Sequence, residues 1–231
     1  QFTCNHENEK YYFSVPSRYF SYLSKLGAER IQFHYEEKFF IEDLKKAENR
    51  TYEDNGMVEY GFCFLPFLGY IPASLGVLVG DLFDSISLQF YLGRLFNFLI
   101  FFIFLVWSYN KLKDSKLRWV IISYAMIPMV THQASGIGYD AMQLAIIPVL
   151  FSLNINFFRE AYIKKKDLLV YAILMFCLLF IKPGYYFLCL LYFLIPWNKI
   201  TKKKRNYLLI TFVYLILCIF TAVFHFKFGG D

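Results

Sequence analysis

The residues of this chain best placed to do chemistry are an imidazole and an acid, His132 and Asp140, close together in the segment HQASGIGYDA. Apolar stretches flank this segment, roughly at 117–130 and 141–158. Each stretch is long enough to cross, or nearly cross, a hydrocarbon core of about 30 Å at about 1.5 Å per helical residue. The segment is therefore predicted to be a polar break between two membrane helices, where an ionisable acid indicates a functional site.

The composition indicates the class of protein. The 231 residues are 58% hydrophobic and 22% aromatic, with a mean hydropathy of +0.41, which is too apolar for a single soluble core. Spanning segments must be helical, because lipid cannot satisfy free backbone groups, and no barrel-like alternation is present. We expect an all-α integral membrane protein, a polytopic helical bundle. Six helical segments are predicted, at about Leu88–Tyr109, Leu117–Thr131, Ala141–Phe158, Leu168–Ile181, Tyr185–Trp197 and Tyr207–Phe226.

The positive charges predict the orientation. Three short linkers carry most of them: Lys111, Lys113, Lys116 and Arg118; Arg159, Lys164, Lys165 and Lys166; and Lys199, Lys202, Lys203, Lys204 and Arg205. Such loops face the cytoplasm in a plasma-membrane protein, so the 132–140 break and everything before Leu88 are expected outside. The formal net charge is −3 for residues 1–60 and +9 for the remainder, which agrees with this division. We therefore expect an extracytoplasmic segment at 1–60 and a transmembrane domain at 61–231.

The extracytoplasmic segment has two local patterns. Tyr11–Val15 alternates like a short strand, and Ala28–Ala47 carries apolar residues at helical spacing, which predicts an amphipathic helix that folds against the membrane. The apolar text that follows, up to Asp84, is interrupted by prolines and glycines. We expect a partly embedded external helix beginning near Pro72, with a re-entrant hairpin as the alternative. Because the chain begins without Met or a signal peptide, it is expected to be an internal piece of a longer protein.

Two cations are predicted at the same outer boundary as the acid. Arg94 lies one to two turns inside its span with Asn97 at i+3, and Lys182 joins two short apolar runs. Cations at this depth fit the phosphate of a lipid-linked substrate, or they snorkel to lipid headgroups. Asp140 would act as a base, hold a divalent cation, or cap the helix starting at Ala141.

Other residues leave alternatives open. His132 is either a ligand or an ordinary interfacial residue, and no second His or Cys stands at metal spacing beside it. Cys4 and Cys63 are both expected outside, and the sequence leaves their pairing open. The lysine clusters are explained by topology and anionic lipid, so membrane lipid is an expected partner and nucleic acid is not.

A set of short motifs resembles a known family over about residues 60–200. The motifs are Tyr70-x-Pro72-Ala73, Tyr91-Leu92-Gly93-Arg94-Leu95-x-Asn97, Ile127-Pro128-Met129, Gln133-Ala134-Ser135, Tyr139-Asp140-Ala141 and Lys182-Pro183. Together they resemble a bacterial family of predicted multi-span membrane proteins of unassigned function, which is similar in layout to the GT-C glycosyltransferases. Residues 1–60 resemble no family that we can name.

The resemblance implies a function. GT-C enzymes transfer a sugar from a polyprenyl-phosphate-linked donor, here to a glycan or glycolipid acceptor, and Asp140 matches the acid of a later external loop in that superfamily. It implies a catalytic role for Asp140, and phosphate or substrate binding is expected of Arg94, Asn97, His132, Gln133, Tyr139 and Lys182. The acidic pair of the first external loop has no counterpart here, since Glu7 and Glu9 do not reproduce it. A transporter, flippase or polymer-export component is the alternative function.

Overall fold

The computed structural model describes residues 4–7, 10–16, 55–60 and 67–181, together with residues 195, 196, 199, 213, 216, 217 and 220. The described strands are β1 (Cys4–Glu7), β2 (Lys10–Pro16) and β3 (Asn55–Tyr60). The described helices are α1 (Phe67–Asp81), α2 (Ile86–Lys111), α3 (Ser115–Ala125), α4 (Pro128–Ala134), α5 (Asp140–Arg159) and α6 (Lys165–Ile181). Every regular element described between residues 67 and 181 is thus an α-helix, as expected for a helical bundle.

The three strands form an antiparallel sheet in the order β1-β2-β3. Cys4 pairs with Phe13 in the first ladder, and Tyr11 pairs with Tyr60 in the second. The strand predicted at Tyr11–Val15 is confirmed, and β2 extends it by one residue at each end. The amphipathic helix predicted at Ala28–Ala47 lies outside the described residues.

Helices α1 and α2 form an antiparallel pair that is packed through glycines. A Cβ at Gly76 would collide with the main chain of α2 at Leu92, and one at Gly80 would collide with Gln89. Ala73, 2% exposed, continues this small-residue face, so the two helix backbones approach each other closely. This seam holds α1 against the first half of α2.

The expected start of α1 was wrong. The helix begins at Phe67, so Pro72 lies inside it rather than in its first turn. The first turn of α1, before the proline, packs against another part of the chain, since a Cβ at Gly69 would collide with Tyr139. Residues 67–81 form one continuous helix, so this segment does not fold back on itself as a hairpin. It instead pairs antiparallel with the next helix, α2.

The predicted single helix at Leu117–Thr131 was also wrong. It is two helices, because α3 ends at Ala125 and α4 begins at Pro128. A proline restricts the residue before it to extended backbone, and Ile127 has φ −67° and ψ 117°. Pro128 then starts α4, where its missing N–H costs nothing.

Helix α5 lies against α2, α4 and α6 and is largely buried. Pro148 lies in its interior and cannot donate to the carbonyl of Leu144, one turn earlier. That carbonyl accepts a hydrogen bond from the Tyr124 hydroxyl at 3.0 Å. The hydroxyls of Ser108 and Ser152 both donate to the Pro148 carbonyl, at 2.7 Å and 2.9 Å. Side chains of α2 and α3, together with Ser152 of α5 itself, therefore satisfy the backbone around the proline.

Two of the described helices, α2 and α5, are long and apolar enough to cross a membrane. At about 1.5 Å per residue they measure about 39 Å and about 30 Å. The whole of the segment predicted at Leu168–Ile181 lies in α6, whereas most of the segments predicted at 185–197 and 207–226 lie outside the described residues.

Candidate functional site

The polar break is a short connection, residues 135–139, between α4 and α5, and it is held against the middle of α2. Arg94 donates from Nε to the carbonyl of Ser135 at 2.9 Å. One turn further along α2, Asn97 donates from Nδ2 to the carbonyls of Gly136 at 2.6 Å and Gly138 at 3.4 Å. Two side chains of α2 thus fix the connection by its main chain.

Asn97 is fully buried, and its amide nitrogen is committed to the connection. Its other amide atom, Oδ1, is buried with no hydrogen-bond partner among the described residues. A buried orphan acceptor is uncommon because it loses its hydrogen bonds to water. Because its amide nitrogen donates to two carbonyls of the connection, Asn97 acts here as a positioning residue for the connection.

Arg94 is half-buried, and its guanidinium lies 5.6 Å from the centre of the Phe90 ring. Among the described residues, none accepts a hydrogen bond from its two terminal nitrogens, Nη1 and Nη2. An arginine fork with both terminal nitrogens available suits an oxyanion such as phosphate. The hydrogen bond to Ser135 fixes the position from which the fork acts.

A tyrosine pair closes the other side of the connection. Gly69 of α1 lies directly against Tyr139, where any Cβ at position 69 would collide with the Tyr139 Cβ. The rings of Tyr70 and Tyr139 meet edge to face with centres 5.9 Å apart. Gly93 of α2 is also close, since a Cβ there would lie 3.5 Å from Ile137. Helix α1 therefore covers the connection and completes the site.

Asp140 is the first residue of α5, so it does not occupy the cap position, which was one of the alternatives for it. The residue at the cap position is Tyr139, which makes no side-chain capping bond. An acid in the first turn is still favoured by the partial positive charge of the helix N-terminus. The helix was expected to start at Ala141, so its start was predicted to within one residue.

The height of the site follows from the opposite end of the helices, where Asn156 of α5 donates to the carbonyl of Lys111 at the end of α2. Counted from there, Arg94 lies about 26 Å back along α2. Counted from Asn156, Asp140 lies about 24 Å back along α5. The acid and the arginine are therefore at nearly the same height in the bundle.

The remaining predicted site residues are distributed differently. His132 and Gln133 lie on α4 with exposed side chains, while the next residue, Ala134, is fully buried. Lys182 lies outside the described residues, so its expected meeting with Arg94 and Asp140 stays a prediction. Among the described residues there is no group of three His, Cys, Asp or Glu side chains that would hold a metal ion.

Sequence reasoning missed the contributions of Ser135, Gly138 and Tyr70 to the site. Ser135 and Gly138 take part through main-chain carbonyls, which no side-chain pattern reveals. Tyr70 was recognised only as part of a motif, and its ring contact with Tyr139 depends on the packing of α1. The glycines in both segments were the available signal, because glycine permits close backbone approach.

The comparisons with known proteins agree with a membrane assignment. No curated protein and no solved structure matches the chain. A family model described as predicted membrane protein (DUF2142) matches residues 5–228. The match includes nearly all of residues 1–60, which the sequence motifs had left without a resemblance. The chain therefore belongs to the DUF2142 family of predicted membrane proteins.

Proposed function

We propose that the chain is the membrane part of a glycosyltransferase that uses a polyprenyl-phosphate-linked sugar. The acceptor is a cell-surface glycan or glycolipid, and the reaction takes place on the outer face of the plasma membrane. The observation that carries the proposal is the pairing of Arg94 with the 135–140 segment. Among the described residues, the two terminal nitrogens of Arg94 have no acceptor, and Arg94 and Asp140 both lie at the polar break between apolar helices.

The chemistry assigns one task to each group. An acceptor hydroxyl attacks the anomeric carbon of the sugar, and the bond from that carbon to the phosphate oxygen breaks. Asp140 takes the proton of the acceptor hydroxyl as general base. Arg94 binds the phosphate, on which negative charge develops as it leaves. Lys182 would supply a second cation, and a divalent cation at Asp140 remains compatible with the same step.

The other predicted site residues position Asp140 and Arg94 or lie beside them. Asn97 holds the main chain of the 136–138 segment, and Tyr139 packs the start of α5 against α1. His132 and Gln133 are exposed beside the break, where they can contact the sugar or the acceptor. Loss of Asn97 would therefore change the position of the site rather than remove a reacting group.

The proposed orientation places the 132–140 segment and residues 1–60 outside the cell. It rests on the positive charges at the other end of the bundle, which include Lys111, Lys113 and Arg159. Single cysteines at Gly136 and Ser115 in intact cells would test it with an impermeant thiol reagent. Labelling at Gly136 alone supports the orientation, and equal labelling at both positions contradicts it.

The activity is tested with the full-length protein in membranes and a panel of radiolabelled polyprenyl-phosphate sugars. Asp140→Asn should lower product formation at least about 100-fold, as expected for loss of a general base, with unchanged folded yield. Asp84→Asn is the matched control. Asp84 is exposed near the same end of α2, and its φ of 49° is one that Asn adopts readily. Equal activity of the two variants would contradict the proposed base.

The alternative, a transporter, flippase or export component, differs in one measurable respect. It moves a lipid-linked substrate across the membrane without breaking the bond from sugar to phosphate. Reconstituted vesicles that translocate a labelled lipid-linked sugar but form no transferred product would favour the alternative over the enzyme.

A further inference from the structure

A second candidate binding site lies at the opposite end of α5 and is independent of the proposed function. It is a cavity of about 370 Å³. Residues of the α2–α3 connection, of the end of α5 and of the segment before α6 line it: Leu112, Lys113, Ile155, Asn156, Arg159, Glu160, Ala161, Tyr162 and Lys164. At about 1.5 Å per residue, Arg159 is about 28 Å along α5 from Asp140, so the two sites are separate. We call it the basal cavity.

The lining of the basal cavity is amphiphilic. Its apolar part comes from Leu112, 1% exposed, and from Ile155. Its charged part has three cations, Lys113, Arg159 and Lys164, against a single carboxylate, Glu160. The net charge of the lining is therefore +2, which favours an anion whose remaining surface is partly apolar.

The cations retain donors for a ligand. Lys113 is 83% exposed in its side chain and lies 3.4 Å from Glu160, so this ion pair is loose. Arg159 donates from Nη1 to Asp114 at 2.9 Å, and a guanidinium has five donor hydrogens in all. Lys164 is exposed. An incoming phosphate would therefore compete with weak, solvated pairs.

The walls of the basal cavity are fixed by main-chain contacts. Asn156 donates from Nδ2 to the carbonyl of Lys111 at 3.0 Å, which ties α5 to the end of α2. Ile163, 2% exposed, donates its backbone N–H to the carbonyl of Lys199 at 2.9 Å. The lining residue Asn156, and the segment that carries the lining residues Tyr162 and Lys164, are thus each held by a hydrogen bond.

Exposed aromatic rings stand beside the cations. Tyr162 is 56% exposed and lines the cavity, and Phe158 is 54% exposed at the end of α5. Aromatic side chains of this kind are typical of the boundary between hydrocarbon and headgroups, where basic pockets between membrane helices bind anionic lipids. The volume is within the range of about 300–1,000 Å³ found for small-molecule sites.

We propose that the basal cavity binds a phosphate ester, supplied by the headgroup of an anionic glycerophospholipid. Lys113 and Lys164 attract the phosphate, and Arg159 binds it with donors that Asp114 leaves available. Ile155 and the Tyr162 ring contact the glycerol and the first acyl carbons. A soluble phosphate ester has the same charged group without the acyl chains.

The test uses the full chain purified in a zwitterionic detergent. Phosphatidylglycerol is titrated at fixed detergent concentration, and retained lipid is counted by native mass spectrometry. Phosphatidylcholine and glycerol 3-phosphate are titrated in parallel arms. Lys113→Gln/Lys164→Gln removes two lining cations, and Lys116→Gln/Lys166→Gln is the matched control. The control removes the same charge from exposed lysines at the same end of the bundle that do not line the cavity.

We expect saturable binding of one phosphatidylglycerol that phosphatidylcholine does not reproduce. Each lining lysine should contribute about fivefold to the affinity, so the lining double variant should bind about 25-fold more weakly. The control double variant should change the affinity less than about twofold. Comparable binding of glycerol 3-phosphate would support the phosphate-ester site and identify its source as soluble. Equal weakening in both double variants, or equal binding of phosphatidylcholine, would overturn the proposal.

Discussion

The two ends of α5 are joined to their neighbours by different interactions. At the Asp140 end, Arg94 and Asn97 donate to main-chain carbonyls, and glycines bring α1 close. At the Arg159 end Asn156 also donates to a main-chain carbonyl, and the side chains add ion pairs, Lys111 with Asp167 at 2.7 Å and Arg159 with Asp114 at 2.9 Å. Among the described residues, close backbone approach is specific to the Asp140 end, and ion pairs between side chains are specific to the Arg159 end.

This difference shows how each end should respond to change. A main-chain carbonyl offers the same acceptor whatever the pH, and close packing is insensitive to salt. Exposed ion pairs weaken as salt screens them or as pH protonates the acid. Substitutions that add volume should therefore affect the Asp140 end most, and solution conditions should affect the Arg159 end most.

The largest expected effect comes from the glycine seam. Gly76→Val should lower the free energy of unfolding by about 3 kcal/mol, since its Cβ would collide with the main chain of Leu92 and not with a movable side chain. Thermal unfolding in detergent measures this change. Gly138→Ala is the control, because a Cβ at Gly138 has no heavy atom within 4 Å. A similar loss of unfolding free energy in both variants would contradict the close packing of α1 against α2 at Gly76.

A smaller effect is expected for the ion pair of Lys111 with Asp167. Both side chains are partly buried, at 32% and 24% exposure, so their coupling should be about 1 kcal/mol at low salt. A double-mutant cycle of Lys111→Met and Asp167→Asn measures it. The coupling should fall when NaCl is raised from 0.05 to about 1 M. A coupling that is unchanged by salt would remove the contrast between the two ends.

The smallest effect is a pH dependence at Asp114. Hydrogen bonds from the Arg159 guanidinium and from the Lys116 backbone N–H hold the pKa of Asp114 below its usual value of 3.8. The lowered pKa in the folded state means that the ion pair stabilises the protein above about pH 4 and ceases to do so as pH falls through the folded pKa. Asp114→Asn should flatten the decline of Tm below pH 4. An identical decline in the variant would exclude this contribution.

Hydropathy predicted the long helices well because membrane spans need continuous apolar runs. The predicted spans at Leu88–Tyr109 and Ala141–Phe158 lie within α2 and α5, which extend past them by one or two residues at each end. The break before Asp140 was also predicted. Hydropathy alone reveals such features, since each depends only on residues that are neighbours in the chain.

Features that depend on packing were not predicted. The start of α1 was misplaced because its first turn packs against Tyr139, which is distant in sequence. The division between α3 and α4 was missed because hydropathy does not register the restriction before Pro128. Arg94 and Asn97 were identified as site residues, but their carbonyl partners were not. Those partners lie 39 to 41 residues away along the chain.

The glycine seam also has a consequence for the order in which the protein is made. Helices α1 and α2 follow each other directly, so the close contacts between them join residues that leave the ribosome within a few seconds of each other. The partners of Arg94 and Asn97 are synthesised about 40 residues later. The α1–α2 pair can therefore assemble as a preformed surface, against which the polar connection and α5 are later placed.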